Sequence, residues 1–123
     1  AIIADIKKAN PAVKVAYHTD GCNYDIIPDL IDMGVDAIHP IQALAAKMEP
    51  ERLRHDFGDR VSFCGGVDAQ HLMVCGTPDE VTAKVHELRR IFPTGLILSP
   101  SHEAILMDTR PENVEALFRA AQD

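Results

Sequence analysis

The stretch "VKVAYHTDGC" (residues 13–22) decides how the rest of the chain is read. Val13, Val15 and Tyr17 alternate with Lys14, Ala16 and His18, the period of two that sends successive side chains to opposite faces of a strand. One face is apolar, and the other is small or polar toward the end of the run. The alternation stops at Thr19, where the chain offers an imidazole, a carboxylate and a thiol in close succession at His18, Asp20 and Cys22. Such an ending is either a polar turn or half of a site.

Outward from this stretch the hydrophobic period switches repeatedly between 3.6 and two. Before it, Ile2, Ile3 and Ile6 form a helical stripe that stops at Asn10-Pro11, because proline cannot continue a helix. After it, Ile26, Ile27, Leu30 and Ile31 mark a second helix, with Gly34 as its C-terminal cap. "VDAIHP" reads as a second strand. "QALAAKM" and "PERLRHDFG" read as a helix interrupted and restarted at Pro50 and stopped by Gly58. "RVSFCGG" is a third strand. Thr77-Pro78-Asp79-Glu80 is a capping box opening a helix through Val81, Val85 and Leu88. "GLILSP" is a fourth strand, and Thr109 to Glu112 repeats the box before Val114, Leu117, Phe118 and Ala121.

The order αβαβαβαβα with short connections implies an α/β fold with a parallel sheet and crossover helices. Two architectures fit: a small open sheet with helices on both faces, or a slice of a (β/α)₈ barrel. A sheet between two helix layers should be apolar on both faces, whereas barrel strands can turn polar side chains toward the mouth. Val61 and Phe63 alternate with Ser62, Cys64 and Gly66, so the barrel slice is favoured. A whole barrel needs about 250 residues, and 1–123 would be one partial domain, about half of that. The chain also opens without Met inside an apolar helical pattern, as if cut from something longer.

A formal charge of −7 without a basic patch argues against nucleic acid or an anionic membrane as partner. No apolar run reaches the ~20 residues of a membrane-spanning helix, and no secretory leader pattern opens the chain. Cys22, Cys64 and Cys75 are an odd set without C-x-x-C spacing, which suggests neither a disulfide framework nor a zinc knuckle and makes a reducing cytoplasm the expected compartment. Cys64 is expected to pack as a small apolar residue, and Cys75 to lie in a loop. His55, His71 and His86 read as surface residues. No dinucleotide, Walker A or G-x-S-x-G pattern is present.

In a barrel the chemistry sits where strands run into the following helices. Those places hold His18, Asp20 and Cys22, then His39, then Gly65, Gly66 and Asp68, then Ser99, Ser101, His102 and Glu103. Of the twelve basic residues only Arg110 is expected in such a connection. His18 and Asp20 share one side of an extended segment, and His102 can meet them across the mouth. Two imidazoles and a carboxylate form a plausible zinc set with one open coordination position. His-x-Asp alone is more often a hydrogen-bonded turn than a site. Gly65, Gly66, Asp68 and Ser101 are the expected substrate-lining positions, the glycines permitting close backbone approach.

The ordered set "HTDG", "MGVDAIHPIQ", "FGDRVSFCGGVDAQHL", "GTPDEV", "LSPSH" and "RPENVEAL" resembles the C-terminal half of the uroporphyrinogen decarboxylase superfamily, a (β/α)₈ barrel group. The resemblance covers nearly the whole chain. It implies one of two activities: cofactor-free decarboxylation of porphyrinogen acetate groups in haem synthesis, or zinc-dependent methyl transfer between a corrinoid and a thiol or another acceptor.

The methyltransferase branch has His-x-Cys-Gly where this chain has "HTDG", so Asp20 stands in place of the first cysteine and His102 in place of a later one. The decarboxylase branch has a Phe-x-Lys-Gly-like segment at the first position and Gly-His-Gly at the second, where this chain has Ser101-His102-Glu103 and shares only the histidine, so it matches neither branch cleanly. The methyltransferase-like branch is slightly favoured. The resemblance then implies His18, Asp20 and His102 as catalytic residues and zinc ligands, a small tetrapyrrole, methyl donor or acceptor as substrate, and a corrinoid protein as partner. A non-catalytic assembly module is the remaining alternative. Four strands without the other four should self-associate or pair with an N-terminal half.

Overall fold

The structure, a computed structural model, describes residues 2–101 and 104–123. Four strands, β1 (Ala16–His18), β2 (Ala37–Ile41), β3 (Ser62–Val67) and β4 (Leu96–Pro100), form one parallel sheet in the order β1-β2-β3-β4. Between and around them run α1 (Ile2–Ala9), α2 (Ile27–Asp32), α3 (Pro50–Phe57), α4 (Leu72–Cys75), α5 (Pro78–Ile91) and α6 (Pro111–Ala120), with a 3₁₀ turn at Tyr24–Ile26 leading into α2.

The strand order separates the two architectures. Parallel crossovers are almost always right-handed, so a sheet that advances steadily in one direction carries all its helices on one face. The core agrees. Ile38 of β2 and Phe63 of β3 are buried with Ile27, Leu30, Leu53 and Phe57, while Leu96 and Leu98 of β4 pack toward Val81, Val85, Leu88 and Leu117. Side chains of the opposite parity, Ala16, His18, Ala37, His39, Ser62, Cys64, Ile97 and Ser99, lie on the other face, none of them buried, and Ile97 is 59% exposed. This is the arrangement of about four consecutive βα units of a (β/α)₈ barrel.

Local chemistry sets the boundaries. The Thr77 hydroxyl accepts from Glu80 N and the Glu80 carboxylate accepts from Thr77 N at 2.7 Å, the full capping box expected for α5. Gly34 takes φ +95° just past α2, as its capping role requires. Asp36 ties three segments together, accepting from Val15 N at 2.8 Å and pairing with Lys7 at 2.7 Å and, at 3.4 Å, with Lys14.

Three expectations are corrected. The segment "QALAAKM" is not helical: i+3 bonds from Ala45 N to Gln42 O and from Met48 N to Ala45 O make turns, Lys47 has φ +63°, and Met48 is wholly buried. Thr109 does not cap α6; Arg110 is the N-cap, with ψ 124°, because Pro111 occupies the first helical position and forces its predecessor extended. Cys75 lies not in a loop but at the end of the one-turn α4, exposed. The apolar stripe of α1 is covered only in part: Ile3 packs against the core, while Ile2 is 79% exposed.

Candidate functional site

The parallel register sets His18 of β1 directly beside His39 of β2. Both side chains project from the helix-free face at the carboxyl end of their strands. Their Nδ1 atoms lie 2.8 Å apart, and the ring planes meet at 42° rather than stacking. On its other side, His18 Nε2 is 3.5 Å from Asp20 Oδ2.

Asp20 is placed by the loop after β1. Gly21, at φ +85°, turns the chain, and its N–H donates to Gln42 Oε1 at 2.9 Å. Gln42 Nε2 in turn donates to Asp20 Oδ1 at 3.0 Å, so one side-chain amide from the loop after β2 holds both the turn and the carboxylate. Thr19 N donates to His39 O, and the buried Asn23 Nδ2 donates to Thr19 O, closing the loop on itself. The turn is therefore polar, and it also presents His18 and Asp20 together as candidate site groups.

Gln42 also borders a cavity of about 190 Å³ lined by Ala43, Leu44, Ala45, Asp68, Gln70 and Ser101. Asp68 follows β3. Burial pushes its carboxyl up, but N–H donors from Leu72, Gln70 and His71 outweigh that and hold it below the usual carboxylate range. Ser101 follows β4, and its hydroxyl is buried without a hydrogen-bond partner among the described residues. Two of the sequence-derived substrate positions, Asp68 and Ser101, thus line one cavity.

Gly65 and Gly66 have a packing reason for lacking a side chain. A Cβ at Gly65 would lie 2.7 Å from Ile41 N, and one at Gly66 3.0 Å from Leu88 Cδ1. His102 lies outside the described residues. Cys22 is exposed, and Cys64 Sγ sits 3.5 Å from Ser99 Oγ rather than in the apolar core where it was expected. A larger hollow, about 700 Å³, lies at the opposite edge among Lys14, Asp36, Arg60 and Thr94. It is formed by strand starts, which in barrels serve stability rather than chemistry; the carboxyl edge, where the imidazoles gather, is the candidate site.

The basic side chains of the strand-to-helix connections are engaged. Arg110 binds Glu112 and Gly76 O. Lys47, placed in such a connection by the turns that replace the expected helix, binds Asp25 through both oxygens at 2.8 and 2.9 Å. Sequence reading placed His39 at a strand end but left it out of the ligand set with His18, and did not single out Gln42. The signal available was the repeated apolar-His pair, Tyr17-His18 and Ile38-His39, at two strand ends in the same phase.

The uroporphyrinogen decarboxylase (URO-D) family model matches residues 1–123. The chain belongs to that family. A methyltransferase from Methanosarcina mazei has a similar fold, with a TM-score of 0.74 at 21% sequence identity. The match covers 98% of this chain and 35% of that one, so this URO-D family chain spans only part of its structural neighbour. No curated protein matches it in sequence.

Among the described residues no three His, Cys, Asp or Glu side chains converge as a ligand group. Two of the expected three do approach: bonds of ~2.0–2.1 Å to tetrahedral zinc set donors roughly 3.3–3.4 Å apart, and His18 Nε2 and Asp20 Oδ2 are at 3.5 Å. The pair fits two corners of such a site.

Proposed function

We propose that this chain is the C-terminal half of a URO-D superfamily enzyme of the methyltransferase-like kind, moving a methyl group between a corrinoid and a small acceptor with the help of zinc. One observation carries the reading. The strand-end rim presents imidazoles and carboxylates, His18, His39, Asp20 and Asp68, while Lys47 and Arg110 are held by Asp25 and Glu112. A porphyrinogen with many carboxylates calls for cations at the mouth. Nitrogen and oxygen donors instead suit a Lewis-acid ion.

His18 and Asp20 would hold the ion, with His102 as third donor. When bound, zinc supplies Lewis acidity toward the acceptor. With no thiolate in that set the ion would be harder and less electron-rich than one held by cysteines. Gln42 keeps Asp20 turned toward His18. Asp68 and Ser101 offer a carboxylate and a hydroxyl to a substrate group in the cavity beside Gln42. Residues 1–123 alone are expected to be inactive. The three cysteines, all free, suit the cytoplasm proposed for the enzyme.

The decarboxylase reading is favoured by the family's own description, and in it His102 contacts substrate and no metal is needed. Metal analysis of the full-length protein after dialysis separates the two. About one zinc per chain, lost in His18→Ala and in His102→Ala, supports the methyltransferase-like enzyme. A metal-free protein that releases carbon dioxide from a porphyrinogen moves the assignment to the decarboxylase.

A further inference from the structure

We infer that His39 is a positioning residue for His18: the Nδ1–Nδ1 contact fixes the rotation of the His18 ring and so keeps its Nε2 facing Asp20. The inference rests on the proposed metal site for its purpose, and on geometry alone for its existence. At 2.8 Å the contact has hydrogen-bond length. A neutral imidazole carries one N–H and one lone pair, so the bond requires one ring to donate and the other to accept. A half-turn of the His18 ring would exchange Nδ1 with a carbon, break the bond, and carry Nε2 away from the Asp20 carboxylate now 3.5 Å distant. The backbone supports the pose from below, because the two residues are register partners and Thr19 N donates to His39 O at 2.8 Å.

The bond serves the ring in either polarity. Without a cation, the Asp20 carboxylate favours hydrogen on His18 Nε2, and His18 Nδ1 accepts from His39. With a cation on His18 Nε2, the hydrogen sits on His18 Nδ1 and His39 Nδ1 accepts it. Ligating histidines generally donate their second nitrogen to a fixed acceptor, whose loss weakens metal binding about 10–100-fold. An imidazole in that place, rather than a carboxylate, leaves the ligand uncharged on that side.

Two measurements on the full-length protein test this. In ¹⁵N-histidine-labelled metal-free protein, a nitrogen–nitrogen coupling through the hydrogen bond should join His18 and His39. Its absence, with His18 shifts averaged between tautomers, overturns the inference. In zinc titrations, His39→Ala should weaken binding about 10–100-fold at an unchanged melting temperature. His39→Asn, whose amide reaches the Nδ1 position, should restore most of the affinity. Equal zinc affinity in wild type and His39→Ala overturns the inference while leaving the metal reading intact. A wild type that shows the coupling but binds no zinc upholds the positioning and refutes the metal.

Discussion

The backbone of Ile41 passes so close to Gly65 that a Cβ at position 65 would lie 2.7 Å from the Ile41 nitrogen and 3.2 Å from its oxygen. Gly65 also holds φ +118°, where a side chain is strained. The β2–β3 ladder shifts register between Ile38 and Ile41, and Gly65 is the residue that makes room for the shift. Gly65→Ala should therefore destabilise the protein by about 2–4 kcal/mol, measured by urea unfolding. Gly21, at φ +85° with nothing within 4 Å of a Cβ, should cost only about 1 kcal/mol on the same change.

These glycines show what sequence alone conveys about a site. "CGG" at a strand end reads equally as room for a ligand or room for the protein itself, and only the register identifies Ile41 and Leu88 as the occupants. The strands were legible because period-two alternation is imposed by burying one face of a sheet. Their pairing was legible only in part. Val13 to Val15 alternate like a strand, yet the ladder begins at Ala16, because Val15 is met by Asp36, whose side chain takes its N–H while Asp36 N and Ala37 N donate to its carbonyl. His39 stayed outside the expected ligand set for the same reason: two strand-end histidines become neighbours only through a register that neither states.

Thr77→Ala removes the hydroxyl that accepts from Glu80 N, leaving only the backbone N–H half of an observed capping box, and should cost about 1 kcal/mol. Thr109→Ala alters the same T-x-x-E spelling but should be close to neutral, since Arg110 is the N-cap of α6. The two motifs differ in where proline stands, one residue after Thr77 and two after Thr109. Thermal melts of the two variants distinguish a cap from its look-alike.

Asp36 should make the fold sensitive to acid. The hydrogen bond with Lys7, the Val15 N–H and Lys14 together lower its carboxyl from 3.8 to about 2. A depressed carboxylate contributes stability that is complete above its unfolded value and is lost as pH falls through the folded one. Stability should therefore drop between about pH 4 and pH 2. Its lysine partners are partly exposed and screened, so Asp36→Asn should cost about 1 kcal/mol at pH 7 and flatten that acid slope. Urea titrations of both proteins across this range measure the effect.

The sheet itself carries the last prediction. Among the described residues β1 and β4 each pair on one side only, and β1 is exposed along its length. The face away from the helices leaves Ile97 59% exposed beside Ala37, Ser62 and Cys64. Parallel sheets are found almost always with both faces covered, and unpaired edges recruit other strands. The neighbouring methyltransferase extends well beyond the 35% of it that this chain matches. Residues 1–123 expressed alone should therefore self-associate, by two-fold pairing that buries edges and inner face together. A polypeptide carrying the proposed N-terminal half should compete with that association. Replacing Ile97 by Lys should weaken the self-association, because it puts a charge where the apolar inner face would meet its partner. Light scattering reads the outcome directly: a species well above 13.5 kDa that dissociates on dilution together with loss of structure is expected. A monomer of 13.5 kDa that unfolds cooperatively at low concentration would mean that the open face is tolerated in water.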